Sequence, residues 1–194
     1  KNIALPKKNL NIKIIYLKNI GKEYHTYLTH IINRYENLSK INFFISASFI
    51  NLKDRTRNFT KIYKKISKIK KEKFKGLYTS EDKFFLFKKK KEKLLDPKMR
   101  IFNHTTSQKI MHNMIPSEIF PLDNFFATYF KDKKLDKYIT SLNGIFATNR
   151  ENIKSIDKEV YKSIIKEYKI PQRDYESGHY LERLYPSIFR INDK

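Results

Sequence analysis

A chain of 194 residues with 40% hydrophobic and 14% aromatic content can bury a real core, and it is not of a disordered composition despite 32% charged residues. The absence of cysteine excludes a disulfide scaffold, a thiolate metal site and a Cys nucleophile. Lys and Arg number 42 against 20 Asp and Glu; the net charge of +22 suits an anionic partner such as nucleic acid or an acidic surface, while abundant Lys, Asn, Ile, Phe and Tyr beside scarce Arg, Ala and Gly equally fit the codon usage of an AT-rich genome.

In chain order, residues 1–11 read as an entry arm, with Pro6 and a small basic cluster. The apolar run Ile12-Lys13-Ile14-Ile15-Tyr16-Leu17 predicts a strand that enters a turn at Gly21. Tyr24, Tyr27, Leu28, Ile31, Ile32 and Tyr35 then recur at helical spacing and predict a helix over 23–38. Ile41-Asn42-Phe43-Phe44-Ile45 is β-branched and aromatic, the pattern of a buried strand. Residues 51–75 predict a Lys-rich amphipathic helix that Gly76 ends, its outer face open to two readings: solvated, or a nucleic-acid or membrane surface. Phe84-Phe85-Leu86-Phe87 suggests a further strand, and 88–119, poorly patterned and broken by Pro97 and Pro116, reads as a variable loop or insertion.

Pro121 opens a short aromatic helix through Phe130. Asn143-Gly144-Ile145-Phe146-Ala147-Thr148 predicts a strand entered through a glycine, with 149–153 turning out of it. A helix over 156–168 carries Asp157 and Glu159 in its first turn, where the dipole favours them, and Pro171 stops it. Glu176 opens a last amphipathic helix toward Phe189. No apolar run approaches the roughly 18 residues that would span a bilayer, so no transmembrane segment is expected, and no signal-peptide pattern opens the chain. Because the sequence begins at Lys1, an upstream anchor or targeting segment stays open, and with it the compartment.

Three blocks carry a resemblance. Asn19-Ile20-Gly21-Lys22-Glu23, followed by Thr26-Tyr27-Leu28-Thr29-His30-Ile31, is similar to N-x-G-R-E and T-Y-L-x-H-I. Gly144-Ile145-Phe146-Ala147-Thr148-Asn149-Arg150-Glu151-Asn152-Ile153 is similar to G-I-F-A-V-S-R-E-N-I, and Gly178-His179-Tyr180-Leu181-Glu182-Arg183-Leu184-Tyr185 to G-H-x-x-E-R-x-W. In that order the blocks resemble an uncharacterised glycosyltransferase-like family. The resemblance implies a single α/β domain over 1–194, three-layered and GT-A/Rossmann-like with a central mixed sheet. It further implies transfer of a sugar from a nucleotide donor, with Mn²⁺ or Mg²⁺ as the accompanying ion, to a glycan or protein acceptor.

On that reading Asn19, Gly21, Lys22 and Glu23 line the donor pocket, Glu23, His179 and Glu182 are the catalytic candidates, and Arg150 and Arg183 bind substrate. Each residue also has a structural reading. Gly21 supplies a turn, Asn19 caps a helix, and Glu23 meets the dipole. His179 and Glu182, one helical turn apart, form a proton-transfer pair or a fixing hydrogen bond; Arg183 holds phosphate or a neighbouring acid. Arg150 and Glu151 sit just past a strand end or form an ion pair. His25 and His30, five apart, do not share a helix face, and no metal ligand set is expected.

The chain departs from the family after the second strand. The family's F-L-Q-G, followed by an acidic residue and a His, is replaced by Phe44-Ile45-Ser46-Ala47-Ser48-Phe49, and no Asp-x-Asp pair occurs to hold a divalent cation against a diphosphate. The alternative is therefore a catalytically inactive fold kept as a basic binding or structural component of a larger assembly. Its nucleic-acid version would use the surface from Lys53 to Lys93.

Overall fold

A computed structural model describes residues 15–45, 74–76, 98, 114–136 and 144–189. The expected entry arm, the strand at 84–87 and Phe49 lie outside the described residues, as does nearly all of the basic helix over 51–75.

The first element is helix α1, Lys22–Arg34, which buries Tyr24, Tyr27, Leu28 and Ile31 along the face its spacing predicts. A single 3₁₀ turn, Tyr35–Asn37, ends it. Strand β1, Ile41–Phe44, alternates its burial rather than burying both faces: Phe44 is enclosed and Phe43 is 44% exposed. The physical reason is that β1 is antiparallel, pairing Ile41 with Asn149 and Phe44 with Phe146, so one face packs on the core and the other does not.

Phe74–Gly76 is strand β2, not a helix end. It pairs antiparallel with the opposite edge of the 146–149 strand, placing Phe74 against Thr148 and Gly76 against Phe146. The expected loop over 88–119 also contains structure, since Met114–Ile115 forms strand β3. Helix α2, Leu122–Tyr129, follows Pro121 as predicted and buries Leu122, Phe125 and Phe126. Strand β4, Phe146–Asn149, is the middle of a three-stranded sheet ordered β1-β4-β2.

Residues 149–153 do not simply turn. The Asn149 side chain accepts from the Asn152 backbone N–H at 2.8 Å and caps helix α3, Arg150–Lys154. Asp157 likewise caps helix α4, Lys158–Ile165, by accepting from the Glu159 N–H at 2.8 Å. Strand β5, Asp174–Tyr175, pairs parallel with β3 and runs directly into helix α5, Glu176–Phe189. Pro186 lies inside α5 and offers no N–H to the Glu182 carbonyl four residues earlier.

The strand expected over 12–17 is not found in its described part. Residues 15–19 have no regular structure, Tyr16 is 91% exposed, and only Ile20 makes a bridge, to Pro171. Among the described residues the architecture is mixed α/β: five α-helices, a three-stranded antiparallel sheet and a separate two-stranded parallel ladder.

The core lies between the sheet and α5. Phe146 is fully buried, stacks on Phe44 with ring centres 4.6 Å apart, and meets Tyr185 at 4.2 Å. Phe125 of α2 reaches Tyr180 of α5 at 5.5 Å. No helix among the described residues is long and apolar enough to cross a membrane.

Candidate functional site

Two turns face each other where α1 begins and β5 begins. The Gln172 N–H donates to the Asn19 carbonyl at 2.8 Å, and Ile20 bridges Pro171, so the segments clasp through their backbones. Both turns contain left-handed backbone: φ is +67° at Gly21, +55° at Lys22 and +60° at Gln172. Gly21 is required twice over, by that φ and because a Cβ there would overlap the Tyr168 ring. Gly21 is also the N-cap residue of α1, with no side-chain cap, so the exposed Asn19 does not cap the helix and contributes its carbonyl instead.

The clasp brings Lys22 to Asp174. Lys22 Nζ lies 2.7 Å from Asp174 Oδ2, and Asp174 Oδ1 lies 3.3 Å from His179 Nε2. On its other side the His179 ring places Nδ1 3.7 Å from Glu182 Oε2, and Arg183 Nη1 stands 3.5 Å from that same oxygen. Arg183 also donates to the His179 carbonyl at 3.0 Å, and the Tyr24 hydroxyl donates to Glu182 Oε2 at 3.4 Å. The result is a row of alternating charge, Lys22, Asp174, His179, Glu182, Arg183. The Asp174 and Glu182 side chains are only 10% exposed, whereas Lys22 keeps 47% of its side-chain surface.

Burial alone would push the His179 imidazolium down, but the carboxylates of Asp174 and Glu182 outweigh it and lift the group to about 9. Burial alone would raise Asp174, yet His179 and Lys22 hold it down at about 2. At neutral pH His179 is therefore a cation, a proton donor rather than a base. The row itself carries three cations and two carboxylates, with the carboxylate of Glu23 in the first turn of α1 next to it.

Glu23 stands beside this row rather than in it. It shares a face with Tyr27 one helical turn on, and both pack against Gly144, whose φ is +59°; a Cβ on Gly144 would lie 3.6 Å from Glu23 Cγ and 3.8 Å from Tyr27 Cε2. Gly178, immediately before His179, lets α5 approach α1 so closely that a Cβ there would overlap the Tyr24 ring.

Of the residues expected in the site, the structure gathers Gly21, Lys22, Glu23, His179, Glu182 and Arg183, with Asn19 behind them. Arg150 is not among them. It follows the far end of β4 from Gly144, its backbone N–H donates to the Lys40 carbonyl at 3.1 Å, and its side chain pairs with exposed Glu151 at 3.6 Å. Six residues of extended chain span roughly 20 Å, which separates Arg150 from the Gly144 end. Sequence reasoning missed Asp174 and Tyr24. Asp174 stands only five residues before His179, and an acid that close to a His-x-x-Glu-Arg block was the available signal.

The divalent ion expected beside a nucleotide sugar finds no ready ligand set: among the described residues no group of three or more His, Cys, Asp or Glu is arranged to hold a metal. The row's carboxylates are each engaged by cations.

No curated protein and no solved structure matches the chain. A family model does match, over residues 5–194, under the description "Protein of unknown function (DUF3431)". With nearly its whole length matched, the chain belongs to the DUF3431 family.

Proposed function

We propose that the protein transfers a sugar from a nucleotide donor, on a three-layer GT-A-like α/β fold of which the described sheets and helices are parts. The observation that carries this reading is the charge row: Lys22, a protonated His179 and Arg183 outnumber the two carboxylates between them, and Lys22 keeps 47% of its side-chain surface open beside a helix amino end. Such a row suits the diphosphate of a departing nucleotide. The bond from the sugar's C1 to the diphosphate oxygen breaks, a bond from C1 to the acceptor oxygen forms, and Glu23 takes the acceptor's proton. Lys22, His179 and Arg183 meet the charge left on the diphosphate.

Thermal-shift and turnover assays over a panel of nucleotide sugars, with and without Mn²⁺, test the reading. Stabilisation by at least one donor, weakened about tenfold or more in Lys22→Ala, is expected. Silence across the whole panel sinks it.

One observation favours a second reading, an inactive fold retained as a basic structural or binding component. Every carboxylate of the row is already neutralised by a neighbour, and the row ties α1, β5 and α5 together. On that reading His179→Gln lowers stability while no nucleotide, sugar or metal alters the wild-type melting temperature.

A further inference from the structure

Tyr175, the second residue of β5, is 2% exposed and uses its hydroxyl to capacity. The phenol oxygen accepts from the Ile170 N–H at 2.7 Å and from the Lys169 N–H at 2.9 Å, and it donates to the Ile170 carbonyl at 3.3 Å. These two N–H groups lie past the end of helix α4, whose closing turn stops at the Tyr168 N–H, bonded to the Ile165 carbonyl at 3.1 Å. Pro171 has no N–H, and that of Gln172 goes to the Asn19 carbonyl at 2.8 Å. Every backbone N–H from Lys169 to Gln172 is therefore bonded either to the Tyr175 phenol or across the clasp.

The same side chain supports the other half of the clasp through its ring. The Tyr175 and Tyr168 ring centres lie 4.7 Å apart, and the Tyr168 ring fills the space that a Cβ on Gly21 would need. Along the chain Tyr175 directly follows Asp174, the partner of Lys22 at 2.7 Å. Left-handed backbone at Lys22 and Gln172 is costly for residues that carry side chains and persists where neighbouring groups hold it. The Tyr175 hydroxyl holds the Gln172 turn, and its ring backs Tyr168 against the Lys22 turn.

We propose that Tyr175 is a positioning residue for the charge row: its hydroxyl fixes the turn whose Gln172 N–H clasps Asn19, and so sets Lys22 where a diphosphate meets it. The diphosphate rests on the transfer reading above; the hold on the clasp does not. Tyr175 itself touches no substrate and acts only through the two turns.

The test compares the wild-type chain, Tyr175→Phe and Tyr161→Phe. Both variants keep a buried ring and lose one hydroxyl, but the Tyr161 hydroxyl donates to the Ile153 carbonyl at 3.0 Å, away from the clasp. Amide hydrogen exchange at Gln172 and calorimetric titration with pyrophosphate are measured at a temperature where all three chains are folded. Tyr175→Phe should speed Gln172 exchange and weaken pyrophosphate binding, each about tenfold or more, while Tyr161→Phe lowers the melting temperature and changes neither. Gln172 exchange no faster in Tyr175→Phe than in Tyr161→Phe overturns the proposal, as does pyrophosphate binding that is equal in Tyr175→Phe and wild type or equally weakened in both variants. If Gln172 exchange quickens in Tyr175→Phe alone but the wild type binds neither pyrophosphate nor any nucleotide sugar, the hold on the clasp stands and the transfer reading falls. If nucleotide sugars turn over equally well in Tyr175→Phe, the transfer reading stands and the positioning role falls.

Discussion

Asp174 joins cations that lie far apart in the chain: its Oδ2 is 2.7 Å from Lys22 Nζ and its Oδ1 is 3.3 Å from His179 Nε2. In Asp174→Asn the burial of His179 remains while only Glu182 still favours its charge, so the imidazolium should fall from about 9 toward or below the ordinary 6.5. A ring-proton NMR titration of His179 reads this directly, and a midpoint still near 9 would refute it. Stability should follow with a definite sign. His179 is raised on folding, so its contribution is full below 6.5 and is lost as pH rises through about 9. Asp174 is depressed, so its contribution is full above 3.8 and is lost as pH falls through about 2. Between those ordinary values both contributions are full, and the alkaline loss that His179 brings, on the order of 3 kcal/mol at most, should shrink in Asp174→Asn. His179, Glu182 and Arg183 were legible because they share one helix at spacings of one turn. Asp174 was not, because its meaning comes from Lys22, which only the folded clasp between two turns brings near.

At the scale of elements, the approach of α5 to α1 depends on Gly178. A glycine-to-alanine change inside a helix normally gains about 0.5–1 kcal/mol, but here the added Cβ would overlap the Tyr24 ring, and both partners are buried. Overpacking of that kind costs about 1–3 kcal/mol, so the clash outweighs the helix gain. Gly178→Ala should therefore lower the denaturation midpoint, and the loss should shrink in a Tyr24→Leu background, because the pair is coupled. Additive effects in that double-mutant cycle would show that the close approach is not what Gly178 provides.

The described helices were legible except α3, whose residues read as a turn. Apolar spacing gave α1 and α5, and Pro121 gave the start of α2. Strands were less so, since an apolar run names a strand without naming its neighbours. Ile15, Tyr16 and Leu17 have the composition of a strand yet are exposed and pair with no described strand. Phe74 and Lys75 carry on a helical pattern, yet pairing with Thr148 and Ala147 makes them a strand.

For the whole molecule the dominant quantity is the net charge of +22. Several ion pairs, Lys154 with Glu36, Lys162 with Glu159 and Lys169 with Glu118, lie at exposed positions, and salt would weaken each by no more than about 0.5 kcal/mol. Self-repulsion acts over the whole surface and is screened more effectively, as the Debye length falls from about 30 Å at 0.01 M to about 8 Å at 0.15 M. The melting temperature should accordingly rise, not fall, when NaCl is increased over that range. A fall would mean that the pairs outweigh the repulsion.

The same measurement separates a general field from a built site. A field responds to ionic strength whatever the anion, whereas Lys22, His179 and Arg183 are placed to meet a diphosphate. At matched ionic strength, pyrophosphate should raise the melting temperature beyond NaCl, and the excess should disappear in Lys22→Ala. An excess that survives Lys22→Ala would assign anion binding to some other part of the basic surface, and no excess at all would leave the charge as a field without a site.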